Sequence, residues 1–308
     1  MKLDAETNAL IQKRLRQNLG FLEISGCAVL STGTFSVVYL CRCSEIRHTM
    51  AAVAFLGVLL VAGAGVLAMA NATIRYRVRN PARTWLVATV SLWAGFATGF
   101  VVGDYYWNAD TAKYYAYKEM ASYVDVNPSV DKATSYMDAG VIYFKEGTSV
   151  LRSMALAFRN GRTYCVAPIY LDPLQNVSNT ASSKTPGFIT PRSGTIDFWA
   201  VGVDCCGDTG NTFTCGEAGI ATARTGMRVL EDKSTLMYQL AVQEWSASTG
   251  LPSKHPMFLE WVTDPISVEE SMLNTSINNF WRNAVGYFFA SLIASYMLHM
   301  TLRHWKFV

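Results

Sequence analysis

Three stretches of this chain carry no Asp, Glu, Lys or Arg over lengths that few environments tolerate: residues 51–70, 85–103 and 284–302. Each is long enough for a helix to cross a hydrocarbon core of about 30 Å. A single such run can be a buried helix of a soluble core, but three in one chain read as membrane spans. In the third run His299 is the only ionisable residue apart from tyrosines. These runs account for a charged content of 16%, against about 25% in soluble domains. That composition disfavours a cytosolic globular enzyme, a disordered tail protein and a nucleic-acid binder.

The net charge of +3 conceals two populations. Residues 104–281 hold 13 Lys/Arg and 19 Asp/Glu, a balance of −6, and the remainder of the chain stands at +9. Such a split implies two environments. The loop 71–83 has Arg75, Arg77, Arg79 and Arg83 and no acid, the C-terminal tail has Arg303 and Lys306, and the N-terminal segment has Lys2, Lys13, Arg14 and Arg16. Basic segments stay on the cytosolic face. Placing all three there requires an even number of spans, so the Ser/Thr/Gly-rich uncharged stretch 24–41 is taken as the first of four. Residues 1–23 are expected to be a cytosolic amphipathic segment on the membrane surface, with no signal peptide. The remaining boundaries are spans at 24–41, 51–70 and 85–103, an ectodomain at 104–281, a fourth span at 282–302 and a cytosolic tail at 303–308.

The third span reads Ser91-x3-Gly95-x3-Gly99-x3-Gly103, a series that lines one helix face with small residues. Packing in lipid depends on such close backbone approach, so this face is assigned to helix–helix contact, within the chain or with a partner. Gly286, Ala290 and Ala294 repeat the pattern more weakly in the last span, and Ala64 and Ala68 do so in the second. The spans lack the acidic and basic groups that pumps and voltage sensors use. A passive pore of several subunits stays open, lined by Ser31, Thr32, Thr34 and Ser36 of the first span.

Both ends of the ectodomain read as helical: residues 104–124 continue the third span, and Asp264-Pro265 provides an N-cap and first helical residue for a helix running into the fourth. Trp107 and Trp281 lie where an aromatic belt would anchor these helices at the interface. Between them, residues 141–144, 150–158, 163–171, 195–203 and 225–230 read as strands, with Asn160-Gly161 as a tight hairpin turn. Residues 173–194 read as a long loop and 231–246 as a helix. The fold class is therefore a four-helix transmembrane bundle with a mixed α+β, disulfide-stapled ectodomain between spans three and four.

Cys165, Cys205, Cys206 and Cys215 lie in that ectodomain, an even number that points to disulfides outside the cytosol. Geometry strains a bridge between neighbours, so Cys205 and Cys206 are expected to take Cys165 and Cys215, in one of two pairings. A zinc site needs short Cys-x2–4-Cys knuckles, which these spacings lack. Cys41 and Cys43 could join the network, whereas Cys27 reads as a small buried apolar residue. Asn176 and Asn274 open glycosylation sequons, and Asn71 opens one expected to face the cytosol.

The layout of four spans, a tiny first outer loop, a large second one and Cys205-Cys206-Gly207 within it resembles the tetraspanins. That resemblance implies disulfides stapling the large loop, first and last loop helices that extend spans three and four, and a role as a non-enzymatic membrane organiser. The sequence departs from the family in placing Cys165 before the motif and in a larger, strand-rich loop. The segments 161–169 and 198–207 also look like uncharacterised protist membrane proteins.

No HExxH pair, nucleophile elbow, phosphate loop or dinucleotide fingerprint occurs. Asp204 and Asp208 flank the cysteine pair and favour turns more often than calcium or acid–base work. His255 reads as a surface residue. The expected protein is not an enzyme, needs no cofactor and binds no nucleic acid. Its expected partners are the lipid bilayer and other membrane proteins or identical subunits, met through the glycine face and the ectodomain. The location expected is a multi-pass protein of the plasma membrane, endomembranes or an organelle, with the ectodomain on the non-cytosolic side.

Overall fold

A computed structural model describes residues 22, 24–77, 83–171, 194–207 and 212–304. The elements in chain order begin with the helices α1 (Ile24–Arg42), α2 (Glu45–Thr49), α3 (Ala51–Arg77) and α4 (Arg83–Tyr106). A π-helical turn, Trp107–Thr111, then leads into α5 (Ala112–Glu119). The strands β1 (Ala121–Val126), β2 (Ala139–Phe144), β3 (Thr148–Val150), β4 (Leu156–Asn160), β5 (Arg162–Leu171), β6 (Phe198–Val203) and β7 (Thr225–Arg228) follow. Helix α6 (Asp232–Thr249), strand β8 (Met257–Val262) and helix α7 (Pro265–His304) complete the order. The chain divides into two compact units, Met1–Tyr115 with Met272–Val308, and Ala116–Ser271.

The first unit is helical. Four helices are long and apolar enough to cross a membrane: Ile24–Arg42, Ala51–Arg75, Trp85–Glu119 and Pro265–Thr301. The first of these is the stretch whose Ser, Thr and Gly content weakened its hydropathy. Helix α3 turns a small-residue face inward at Ala54 and Ala72, and a β-carbon at Gly65 would press on Leu92 and Trp93 of α4. Its opposite faces leave Phe55, Leu56, Leu60 and Leu67 exposed.

The second unit is a mixed sheet in the order β1-β2-β7-β8-β6-β5-β3, with β4 sharing the edge of β5. Strands β1 and β2, and β6 and β8, pair in parallel, and the remaining pairs are antiparallel. Period-two alternation sends side chains to two apolar layers. On one face Cys165, Ala167, Ile169, Phe198, Ala200, Leu259 and Trp261 pack together. On the other, Val166, Trp199, Val201 and Phe258 meet Tyr238, Ala241, Val242 and Trp245 of α6. The Trp199 and Trp245 rings cross edge-to-face at 4.9 Å, and the Trp245 indole N–H donates to the Met154 carbonyl at 2.7 Å.

Several sequence expectations change here. Helical structure after the third of these helices ends at Glu119, and residues 121–126 form a strand instead, with Ala121, Ser122, Tyr123 and Val126 paired in parallel with β2. Residues 150–158 are not one strand, because a 3-10 turn at Arg152–Met154 separates β3 from β4. Strand β8, which no expectation covered, lies between β7 and β6. The Asn160-Gly161 turn does form the β4–β5 hairpin: Asn160 pairs with Arg162, and Gly161 adopts φ +72°, a region glycine enters without cost. Asp264 caps α7, its carboxylate accepting the Ile266 N–H at 3.0 Å, with Pro265 first in the helix. The amphipathic segment 1–23, apart from Leu22 at its end, and almost all of the loop 173–194 lie outside the described residues.

Replacing Trp245 by Ala removes both the ring contact and the indole hydrogen bond and should cost about 3–5 kcal/mol. A lowered thermal unfolding midpoint measures this. Leu236→Ala on the exposed face of the same helix should stay within about 0.5 kcal/mol.

Candidate functional site

Two constellations stand out, one in each unit. In the helical unit the glycine series of α4 lies directly on α1. A β-carbon at Gly95 would overlap the Ser31 carbonyl oxygen, one at Gly99 would come 2.7 Å from the Phe35 carbonyl oxygen, and one at Gly103 would meet Arg42 Cβ at 2.9 Å and Tyr39 at 3.2 Å. Successive contacts at Ser31, Phe35 and Tyr39 follow the four-residue spacing of the glycines, so two matched faces interlock. Ser91 begins the same face: its carbonyl accepts the Ser31 hydroxyl at 2.6 Å.

Helix α7 joins through hydroxyls. The Ser31 and Tyr287 hydroxyls lie 2.9 Å apart, those of Ser91 and Ser295 3.4 Å, and those of Thr32 and Ser291 3.4 Å. Phe35 stacks on Tyr287 at 4.6 Å. The buried face of α7 in the bundle is therefore Ala284, Ser291, Ser295 and His299. Gly286, Ala290 and Ala294, expected as a packing face, point outward, and nothing lies within 4 Å of a β-carbon at Gly286. Interhelical hydrogen bonds set the inward face of this helix because a hydroxyl among apolar side chains needs a partner and a methyl does not.

Where α1 ends, Asp104 accepts from both Arg42 and Arg47, the latter at 2.8 Å. The two guanidiniums also cover rings, Arg42 over Phe100 at 4.3 Å and Arg47 over Trp107 at 4.6 Å. Trp107 thus holds a cation, whereas Trp281 is 62% exposed. Arg75 covers Trp85 at 4.6 Å. Arg79 lies outside the described residues, as do the side chains of Arg77 and Arg83. Asn274 is exposed on α7, and Asn176 is outside the described residues.

In the sheet unit the four cysteines form two bridges, Cys165–Cys206 and Cys205–Cys215, with Cα separations of 5.8 and 5.0 Å. Cys41 and Cys43 take no part, and Cys43 Sγ lies 3.2 Å from the Thr111 hydroxyl. The local chain explains how adjacent cysteines reach different partners. Asp204 adopts φ +57°, a left-handed conformation that Asp tolerates better than most residues. It is fastened there by its N–H to the Thr163 carbonyl at 2.7 Å, by the Thr163 N–H to its carboxylate at 2.9 Å and by Arg162 at 3.0 Å. The Thr163 N–H and the Arg162 guanidinium hold its carboxyl below the usual carboxylate range, so the tie persists at neutral pH and is lost only as pH falls through that lowered value.

Gly202 completes the arrangement. It stands opposite Cys165 in the β5–β6 register, and a β-carbon there would lie 2.5 Å from Cys205 Sγ and 2.7 Å from Cys215 Sγ. The second bridge therefore rests on bare backbone. Sequence reasoning passed over Gly202, although a glycine inside a strand is a recognised sign of close approach. The sulfurs of Cys165, Cys205 and Cys215 lie within 4.8 Å of one another, but bridged sulfurs are not the thiolates that zinc requires. Asp208 is outside the described residues, and His255 is exposed.

Comparison with protein-family models, with curated proteins and with solved structures finds no match to this chain.

Two substitutions separate the roles of the glycines. Gly99→Leu should destabilise the helical unit by about 1–3 kcal/mol through overpacking, read as a lower unfolding midpoint in detergent, whereas Gly286→Leu should leave that midpoint unchanged. Gly202→Val should prevent the Cys205–Cys215 bridge while sparing Cys165–Cys206, seen as two extra alkylated cysteines by mass spectrometry.

Proposed function

We propose that this chain is a four-span membrane protein acting as a non-enzymatic scaffold or accessory subunit, with residues 104–281 on the non-cytosolic side and the basic loop and termini in the cytosol. The observation that carries this reading is the division of α7. One face is consumed by hydrogen bonds to α1 and α4, and the opposite face offers Gly286, Ala290 and Ala294 flanked by exposed Val285, Phe289 and Ile293. Small residues between large apolar ones admit a neighbouring helix at short range. The exposed apolar faces of α3 fit lipid in the same way.

A tetraspanin-like role rests on the Cys205-Cys206-Gly207 motif and the order of spans, and the bridge from Cys206 back to Cys165 keeps the departure noted above. The rival reading, a pore lined by the first span, needs Ser31, Thr32, Thr34 and Ser36 to face water, and Ser36 is half-buried. Ser31 and Thr32 hydroxyls instead bond to other spans of the same chain, and Thr34 donates to Leu30 of its own helix.

Extraction from native membranes in a mild detergent, followed by cross-linking mass spectrometry, tests the proposal. A stable complex with links at residues 285–294 supports it, and recovery as a lone monomer without such links overturns it. Cysteines introduced at positions 75 and 233 should label from opposite sides of sealed vesicles.

A further inference from the structure

The two bridges of the sheet unit adjoin each other in space as well as in sequence. Cys165 belongs to one and Cys205 and Cys215 to the other, yet the three sulfurs lie within 4.8 Å. Accessibility divides the four residues differently from bonding. Cys165 is fully buried and Cys215 is 3% exposed, whereas the neighbours Cys205 and Cys206 are half-buried. Each bridge therefore joins one inner sulfur to one outer sulfur, and the two inner sulfurs are within reach of each other.

We propose that this double bridge is a thiol-modification site, where a low-molecular-weight thiol adds to Cys205 or Cys206 and the inner cysteines then bond to each other. In the first step the thiolate attacks the outer sulfur Cys206. A bond forms between the two, the Cys165–Cys206 bond breaks, and the electron pair leaves on Cys165. A buried thiolate in apolar surroundings is costly. Cys165 relieves that cost by attacking Cys215, which forms Cys165–Cys215, breaks Cys205–Cys215 and expels Cys205 as a thiolate that takes a proton from water. Attack at Cys205 runs the mirror sequence, with Cys215 expelled first and Cys206 last. Both routes give the same product: a buried Cys165–Cys215 bridge, one neighbour of the vicinal pair capped and the other a free thiol. One thiol is consumed, one proton is returned and no oxidant or reductant is needed, as in any thiol–disulfide exchange.

The direction follows from the fold. Before exchange the inner sulfurs are tied to the surface segment 204–206, and that segment is further fastened by Asp204 to Thr163 and Arg162. After exchange the sheet keeps an internal bridge, and the Cys205-Cys206 segment is held by those polar ties and by its backbone pairing with residues 212–214. Modification thus removes the covalent hold on a surface segment without opening the core beneath it. This inference does not depend on the scaffold reading.

The test uses the full-length protein in detergent, exposed to glutathione at pH 8, quenched, alkylated with N-ethylmaleimide and digested without reduction using a protease that cleaves before Asp208. The expected result is a Cys165–Cys215 linked peptide pair, with one glutathione and one maleimide shared between Cys205 and Cys206. Recovery of maleimide on Cys165 with Cys205–Cys215 intact overturns the proposal, as does the absence of any glutathione adduct. Cys206→Ser checks the transfer step separately. It leaves Cys165 as a thiol from the outset, and Cys165–Cys215 should form with no added thiol. Retention of Cys205–Cys215 in that variant, with the Cys165 thiol alkylated on unfolding, counts against the transfer.

Discussion

Helix α4 approaches α1 so closely that no β-carbon fits between them at Gly95, Gly99 or Gly103. Contact this close holds two apolar helices together through van der Waals packing and hydrogen bonds. Backbone contact at three successive turns brings Ser31 within reach of the Ser91 carbonyl. The same serine then meets Tyr287, which fixes the rotation of α7 and directs Ser291 and Ser295 inward. The outward face of α7 is a consequence of that chain of contacts. Close packing at one helix pair decides which side of a third helix is left exposed.

The sheet unit solves its problem by different means. Its core lies on both faces of a mixed sheet, one covered by α6 and the other by the segment carrying Phe213, Cys215 and Ala223. That second cover has little regular structure, and the bridges hold it down. Gly202 lets the sulfur layer settle directly on β6, and Arg152 reaches the Phe213 carbonyl at 2.7 Å. Covalent bonds thus replace the helix that would otherwise cover this face.

The four long apolar helices were readable because length and absence of charge are properties of composition. The four-residue spacing of Ser91, Gly95, Gly99 and Gly103 was readable for the same reason: periodicity places residues on one face whatever they touch. What they touch was not readable, since Ser31, Phe35 and Tyr39 keep the same four-residue spacing but share no residue type that marks them as a face. That the stripe at Gly286 faces away from α1 and α4 was not readable, because small size does not reveal where a hydroxyl on the opposite face finds its partner. Strands β1 and β8 escaped for a related reason. Strand β1 follows α5 after a single residue, and β8 is a six-residue apolar run whose place is fixed by strands about 30 and 60 residues earlier. The bridge pairing stayed open until the β5–β6 register placed Cys165 opposite Gly202.

The position of β8 also bears on synthesis. Strands β1, β2 and β7 make one side of the sheet, and β3, β4, β5 and β6 make the other. Strand β8 is the join between them, parallel to β6 and antiparallel to β7, and it is the last strand to be made. A chain emerging in order therefore holds two incomplete half-sheets, each with an open edge, until residue 262 has appeared. Helix α7 starts at Pro265, three residues later. Closure of the sheet and arrival of the last long apolar helix are thus almost one event, and a chain stopped shortly before it has neither.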